Sequence, residues 1–351
     1  MKQNPVRFGI VGLGVGSAHA DGIRRSQGGV LAALCDVDEK RLRQRARDWN
    51  VDNLFTDYKA LAKSDTLDAI CVCVPNYLHV PVLLAAMAGG KHVICEKPLT
   101  TNVRDAARAA QAAKGAARRG QICMMGFSTR FGPEAQTLKP VVDSGELGAI
   151  YFARASYMRR RGAPRTRSWF TDKALAGGGP LIDVGVHILE TCWWLMGCPK
   201  PVAASGGNWR KLGHLACPDW QPGKPRPKFD VEDLACGLLR FANGAVIFLE
   251  ASWAGHFPGY HNVHLYGDKA GAQLSPPKVF KPAYGKDVDV SIPVTQRAGG
   301  HEFEIQHLID CMRAGRQSEA PIAHGFIVQK MLNAIYDSAE KGREVLIRDG
   351  K

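Results

Sequence analysis

At 351 residues the chain is longer than one hydrophobic core usually serves and suits two domains. Its composition, 45% hydrophobic and 23% charged, is that of a soluble globular protein. The polar start Met1–Phe8 lacks a signal-peptide core and no apolar run reaches bilayer length, so a cytoplasmic protein without membrane contact is expected. A net charge of +13 raises nucleic acid as a partner. However, the basic residues are scattered, except Arg159, Arg160, Arg161, Arg165 and Arg167 in a Gly/Pro-containing loop. Trp169 alone accompanies them, which is no stacking platform, so no nucleic-acid partner is expected.

The N-terminal third alternates apolar runs with helical stretches. Strands are expected at Arg7–Gly12, Val30–Asp36, Ala69–Val74, His92–Cys95 and Gln121–Gly126. Helices are expected between them at Ala18–Arg25, Lys40–Trp49, Val80–Gly89 and Val103–Arg119. Near-continuous apolar strands separated by helices indicate a parallel sheet covered on both faces, the α/β Rossmann pattern. Cys35, Cys71, Cys73 and Cys95 fall in these strands, and no Cys or His pairs have zinc spacing, so buried reduced thiols and no metal are expected.

The first strand runs into Gly12-Leu13-Gly14-Val15-Gly16-Ser17, and a helix follows. Gly12 permits the tight turn, Gly14 lets a pyrophosphate approach the backbone, and the helix N-terminus supplies N–H donors. An acidic residue, Asp36, ends the second strand, where it can accept bonds from an adenosine ribose and repel a 2′-phosphate. This favours NAD, with Arg41 and Arg43 leaving NADP as the alternative. Asp36 as the mere cap of the next helix is the competing reading. Lys97 follows the fourth strand and precedes Pro98, at the carboxyl edge where ligands bind in such sheets. An ammonium there can stabilise developing alkoxide charge.

After Gly126 the pattern changes to longer alternating strands, Ile150–Met158, Asp233–Phe241, Ala245–Ser252 and Asn262–Tyr266, with a hairpin at Asn243-Gly244. Helices are expected at Pro180–Met196, Glu302–Ala314 and Ile327–Gly342, and Pro199–Lys228 reads as an irregular insertion. The expected division is residues 1–126, a Rossmann domain, and 127–351, an α+β domain with an open, largely antiparallel sheet. Asp183 and His187 lie four apart on a helix opened by Pro180 after three glycines, so both side chains share one face. A carboxylate orients an imidazole and raises its basicity, which fits the histidine to take a carbinol proton. A structural hydrogen bond is the plainer alternative.

Val74-Pro75-Asn76 with His79, Glu96-Lys97-Pro98, and Gly177-Gly178-Gly179 with Asp183 and His187 together resemble the glucose–fructose oxidoreductase, inositol dehydrogenase and rhizopine-catabolism family, Gfo/Idh/MocA. The stretch Gly126–Arg154 also resembles that family's interdomain segment, and the likeness covers nearly the whole chain. The resemblance implies nicotinamide-linked oxidation of a secondary alcohol on a sugar or polyol, or the reverse reduction. It implies Lys97, Asp183 and His187 as the catalytic group, with Val74, Pro75, Asn76 and Glu96 beside the nicotinamide. The implied cofactor set adds Gly12, Leu13, Gly14, Val15, Gly16, Ser17, Asp36, His79 and Lys97. It also implies a homodimer or homotetramer formed through the open sheet.

One departure stands out. Gly16 and His19 come one position earlier than in the family's pattern, so either the turn is one residue shorter or Ser17 serves as its third small residue. Arg130 could meet substrate or pair with a carboxylate, Trp169 could wall a sugar ring or join the core, and His256 reads as a polar loop residue. The Arg159–Arg167 cluster reads as a solvated loop before it reads as a selector of anionic sugars. A hydrolase or isomerase that retains NAD, and a cofactor-binding sensor, are the rival functions.

Overall fold

The computed structural model describes residues 4–164, 169–213, 228–295 and 299–348. The chain divides into two compact units, Met1–Ser128 with Ala298–Phe326, and Thr129–Arg297 with Ile327–Lys351.

In the first unit, β1 (Val6–Val11), β2 (Gly29–Cys35), β3 (Leu54–Phe55), β4 (Ala69–Val72), β5 (His92–Glu96) and β6 (Cys123–Gly126) form one sheet in the order β3-β2-β1-β4-β5-β6. Every pairing is parallel. The order reverses between β1 and β4, and in such sheets ligands bind at the carboxyl ends beside that reversal. Apolar residues run without alternation through β4 because helices cover both faces, and all four of its residues are buried. Phe8 and Ile10 of β1 are fully buried, each contributing about 1.5–3 kcal/mol by removal from water. The helix Val103–Arg118 turns Ala106, Ala109, Ala113 and Ala116 inward, a face of small side chains that permits close approach. Asn102 caps it by accepting from the Asp105 N–H at 2.9 Å.

A second domain running unbroken from residue 127 is corrected by the fold: Ala298–Phe326 belongs to the first unit. The helix Gly300–Ala314 buries Ile305, Leu308 and Ile309. It lies so close to the helix Gly16–Arg25 that a Cβ on Gly22 would come within 2.8 Å of the His301 carbonyl. The Met125 N–H donates to Ala320 O at 2.8 Å, so the returning chain also covers the β6 edge.

The second unit holds a nine-stranded sheet ordered β14-β13-β12-β11-β7-β10-β9-β8-β15. Its strands are β7 (Ile150–Met158), β8 (Pro201–Trp209), β9 (Leu234–Phe241), β10 (Val246–Ser252), β11 (Tyr260–Gly267), β12 (Gly271–Gln273), β13 (Lys278–Ala283), β14 (Lys286–Ser291) and β15 (Val345–Leu346). Only β7 and β10 pair in parallel; the other pairings are antiparallel, as the alternation of the strands led one to expect. Gly244 (φ +84°) makes the β9–β10 hairpin. The irregular insertion expected at Pro199–Lys228 is corrected at its start. Pro201–Trp209 is the long strand β8, whose Gly206 and Gly207 lower strand propensity but pair in register with Gly237 and Cys236. Residues 214–227 lie outside the described residues, as do Arg165 and Arg167.

The nine cysteines among the described residues are all free, and burial pushes the Cys35 thiol up to about 12. Among the described residues no helix is long and apolar enough to cross a membrane.

Candidate active site

The glycine turn leaves β1 and enters the helix Gly16–Arg25. Gly12 holds φ +91°, and a Cβ there would stand 2.4 Å from the Cys73 carbonyl oxygen. That contact seats the turn against the carboxyl end of β4. A Cβ on Gly16 would meet Ile10 Cγ2 at 2.7 Å, so Gly16 gives the helix its close packing on the strand. Ser17 instead turns its hydroxyl to Gly14 O at 3.0 Å. The turn is therefore shortened by one residue, and Ser17 is not the third small residue. Around Gly14 a Cβ would meet nothing within 4 Å, and Val15 is 45% exposed. The start of the helix is open to an anion, as a dinucleotide's pyrophosphate requires.

Asp36 is buried, and its two oxygens accept from the Leu13 N–H (2.9 Å) and the Asp38 N–H (2.9 Å). It does not cap the next helix; Asp38 does, accepting from the Arg41 N–H at 3.1 Å. Arg41 is drawn to both acids, with Nε 3.4 Å from Asp36 Oδ2 and Nη2 2.9 Å from Asp38 Oδ2. The guanidinium that would have welcomed a 2′-phosphate is thus held by carboxylates that repel one. Asp36→Asn, which keeps the shape and removes the charge, is expected to lower the NAD-over-NADP ratio of kcat/KM by about tenfold. Parallel kinetics with the two cofactors check this, and an unchanged ratio removes Asp36 from cofactor choice.

His79 begins the helix His79–Ala88 and is buried, with its ring nitrogens 2.7 Å from Pro98 O and 2.8 Å from Val74 O. It clamps the loop after β4, which carries Val74, Pro75 and Asn76, to the loop after β5. Burial lowers its pKa against the pull of the two carbonyls. Glu96 ends β5, accepting from His19 Nε2 at 2.7 Å and from the Lys97 N–H at 3.1 Å. Burial raises its pKa, but the bond and charge of His19, with His301 and Lys97, outweigh this and bring it to about 2. A carboxylate therefore fixes the backbone at Lys97, which joins Pro98 through a cis bond.

The second unit carries Asp183 and His187. The helix expected from Pro180 to Met196 starts instead as a π-turn, Leu181–Gly185, and becomes α-helical only over Val186–Leu195. Such turns concentrate at functional sites because they re-aim side chains. The three glycines are needed for space: Gly177 holds φ +87°, a Cβ on Gly178 would strike Tyr336 Oη, and one on Gly179 would strike Glu232 O. Glu232, buried, accepts from the Gly179 N–H (2.9 Å), the Leu181 N–H (3.2 Å) and Tyr336 Oη (2.7 Å). It thereby satisfies N–H groups that begin the turn.

Asp183 Oδ2 accepts from Trp253 Nε1 at 3.0 Å, and His187 Nδ1 lies 3.4 Å from Thr129 Oγ1. Trp253 is fully buried and packs with Val184 in one apolar cluster. Trp253, Glu232 and Tyr336 support the π-turn, and sequence spacing did not reveal them, since each reaches it from a distant element. Trp253→Phe keeps the packing and removes the N–H, so kcat is expected to fall about tenfold with little change in Tm, and the pH profile of kcat to shift. An unmoved pH profile would limit Trp253 to packing.

The other sequence candidates have the following partners. Arg130 is fully buried, with Nε and Nη2 both bonded to Glu190 Oε1, so the carboxylate pairing is the one found. Burial raises the Glu190 carboxyl to about 7 in spite of that arginine. Trp169 is half-buried and stacks on Phe170 at 3.9 Å between centroids. His256 Nδ1 lies 3.3 Å from Arg161 Nη2, on the exposed surface. Arg159 donates to Gly162 O and Tyr157 Oη, and Arg161 to the carbonyls of Arg160 and Gly255.

Comparison with known proteins agrees with both halves. Residues 6–127 match the family model described as "Oxidoreductase family, NAD-binding Rossmann fold", and 135–273 match the "GFO/IDH/MocA C-terminal domain". The chain is 30% identical to the D-glucoside 3-dehydrogenase of Escherichia coli (strain K12), over 98% of each chain. It is 26% identical to D-xylose 1-dehydrogenase (NADP(+)) 2 of Haloferax volcanii, over 96% of this chain and 98% of that one. Levoglucosan dehydrogenase, solved in complex with NADH and L-sorbose, shares the fold at a TM-score of 0.88 and 22% identity, over 99% of this chain and all of that one. With a glycine turn between β1 and its helix, a clamped Glu96-Lys97-Pro98, and Asp183 and His187 on the π-turn and helix that follow three glycines, the chain belongs to the Gfo/Idh/MocA family of NAD-binding oxidoreductases.

Proposed function

We propose that the protein is an NAD-dependent dehydrogenase of a secondary alcohol on a sugar, polyol or sugar derivative. In this reading Lys97, Asp183 and His187 serve one carbinol. Two observations support it, one in each unit: the Lys97 backbone is anchored by the Glu96 carboxylate, and Asp183 is held by Trp253. The turn Gly12–Ser17 holds the pyrophosphate, Asp36 the adenosine ribose, and Val74, Pro75 and Asn76 line the nicotinamide side. The bound nicotinamide supplies the hydride acceptor. As the carbinol C–H bond gives up its hydride, His187 takes the hydroxyl proton, Asp183 orients the imidazole and stabilises its cation, and Lys97 stabilises the alkoxide charge. One alcohol and one NAD become one ketone, one NADH and one proton.

The test is a panel of sugars, inositols and sugar acids offered with NAD and NADP in parallel. NADH formed in equal amount to ketone supports the dehydrogenase. Substrate turnover with catalytic cofactor and no net NADH would make the protein a hydrolase or isomerase, and no turnover at all would favour the sensor.

Assembly through the sheet is supported by its outer face. Leu234, Cys236, Leu238, Val246 and Phe248 alternate with buried residues along β9 and β10 and are themselves only half-buried, as is Phe152 of β7. They share that face with Arg154, Arg240 and Glu250, and partly exposed apolar side chains among charged ones suit an interface. Phe248→Glu is expected to shift the mass in solution from dimer or tetramer to a smaller species, measured by light scattering; a wild-type monomer would refute the assembly. The free, mostly buried thiols suit the reducing cytoplasm.

A further inference from the structure

Inside the first unit, His19, Glu96, His301 and Glu304 each offer a ligand-type atom, all within 4.8 Å of one another. They come from the helix Gly16–Arg25, the end of β5, and the first turn of the helix Gly300–Ala314. The His19 and Glu304 side chains are fully buried, Glu96 nearly so, and the His301 ring is 32% exposed. His19 Nε2 lies 2.7 Å from Glu96 Oε1, and His301 Nδ1 lies 2.7 Å from Glu304 Oε1. The remaining nitrogen, His19 Nδ1, is 3.7 Å from Glu304 Oε1. Both His19 Nδ1 and Glu304 Oε2 are buried without a hydrogen-bond partner.

Protons alone leave a cost in either state. With His19 neutral, two buried carboxylates face one imidazolium, and two polar atoms stay unsatisfied. With both rings protonated, the Nδ1–H of His19 points at an oxygen too distant to bond. Lys97 adds its field to Glu96 but leaves Glu304 Oε2 without a bond. One divalent cation meets both needs: it balances the two carboxylates with both imidazoles neutral, and it gives the orphaned His19 Nδ1 a partner.

We propose that His19 Nδ1, His301 Nδ1 and the Glu304 carboxylate bind one divalent first-row cation, zinc by preference, with Glu96 accepting the His19 Nε2 proton as the outer partner. Bonds of about 2.0–2.1 Å in a tetrahedron set neighbouring ligand atoms about 3.3 Å apart, and the observed 2.7 and 3.7 Å bracket that edge. A histidine ligand whose other nitrogen donates to a carboxylate is the usual orienting arrangement. The partly exposed His301 gives the cation its way in. The cation ties the dinucleotide-turn helix to the helix Gly300–Ala314, and through Glu96 to the strand that leads into Lys97.

The test is elemental analysis of the full chain purified without chelator, then after dialysis against EDTA, with reloading by zinc and separately by cobalt. About one cation per chain is expected before dialysis, with Tm falling by about 4 °C or more on removal and recovering on reloading. The cobalt form should show the visible absorption of a tetrahedral N/O field. Glu304→Gln and His301→Ala should each lower zinc retention about tenfold or more, while His264→Ala, a control in β11 of the second unit, retains it. The metal-free wild type provides the same readout should either variant fail to fold. Fewer than about 0.1 cations per wild-type chain, with Tm unmoved by excess zinc, cobalt or manganese, would mean that shared protons hold the quartet. Binding undiminished in both variants would equally overturn the site.

Discussion

Lys97→Met is expected to lower kcat by about a thousandfold while changing the dissociation constant for NAD by less than about threefold. The substitution spares what positions the residue. The Lys97 N–H that donates to Glu96 belongs to the backbone, and the His79 clamp on Pro98 O and Val74 O does not involve the ammonium. Methionine fills comparable volume, so the loss is confined to the charge and its hydrogen bonds. About 4 kcal/mol of transition-state stabilisation is the size expected when a preorganised donor to a developing alkoxide is removed from a site sheltered from water. Steady-state kinetics and a fluorescence titration of NAD check the two halves of the statement. A kcat within a few-fold of wild type would take Lys97 out of the chemistry, whereas parallel loss of NAD affinity would make it a cofactor ligand.

Gly12→Ala is expected to weaken NAD binding about a hundredfold, with the rest of the first unit still folded. Two costs coincide at this residue. Its φ of +91° is strained for an L side chain, and the new methyl would overlap the Cys73 carbonyl oxygen at 2.4 Å and its carbon at 2.7 Å. Both are backbone atoms that cannot rotate away, so the turn must lift from the end of β4. Together the strain and the displacement are on the order of 3 kcal/mol, which is about two decades in affinity. Gly14→Ala serves as the comparison, because a Cβ there meets nothing within 4 Å in the protein itself. Its loss of affinity would come from the pyrophosphate alone. Equal binding by Gly12→Ala and wild type would show that the dinucleotide does not depend on this turn.

Much of this site was legible in the sequence because its signals are local. Strand, glycine turn and helix succeed one another within 25 residues, and Asp36 closes the second strand at the distance that a βαβ unit dictates. Glu96-Lys97-Pro98 and the Gly177–Gly179 run with Asp183 and His187 are likewise contiguous patterns. Sequence also carried the alternation that separates the parallel first sheet from the mixed second one. What it misplaced depended on partners far along the chain. The helix Pro180–Met196 reads as one regular piece by composition, yet Glu232 and Trp253, fifty and seventy residues later, accompany a π-turn over its first five residues. The strand β8 hides in a Pro- and Gly-bearing stretch because its pairing with β9, rather than its own propensity, makes it a strand.

The sequence by itself determined the glycine turn, the acidic residue that closes the second strand and the motifs that name the family, since each is a short-range pattern tied to backbone geometry. Tertiary structure decided the rest. Gly16, not Ser17, packs the helix on β1, because only Ile10 beneath it reveals which residue has no room for a side chain. Arg130 pairs with Glu190, which no spacing rule links to it. The helix Gly300–Ala314 returns to the first unit because its apolar face fits there, and it brings His301 and Glu304 to His19 across more than 280 residues of chain. Such encounters follow from burial and shape, which act on the folded surface and leave no periodic trace in the order of residues.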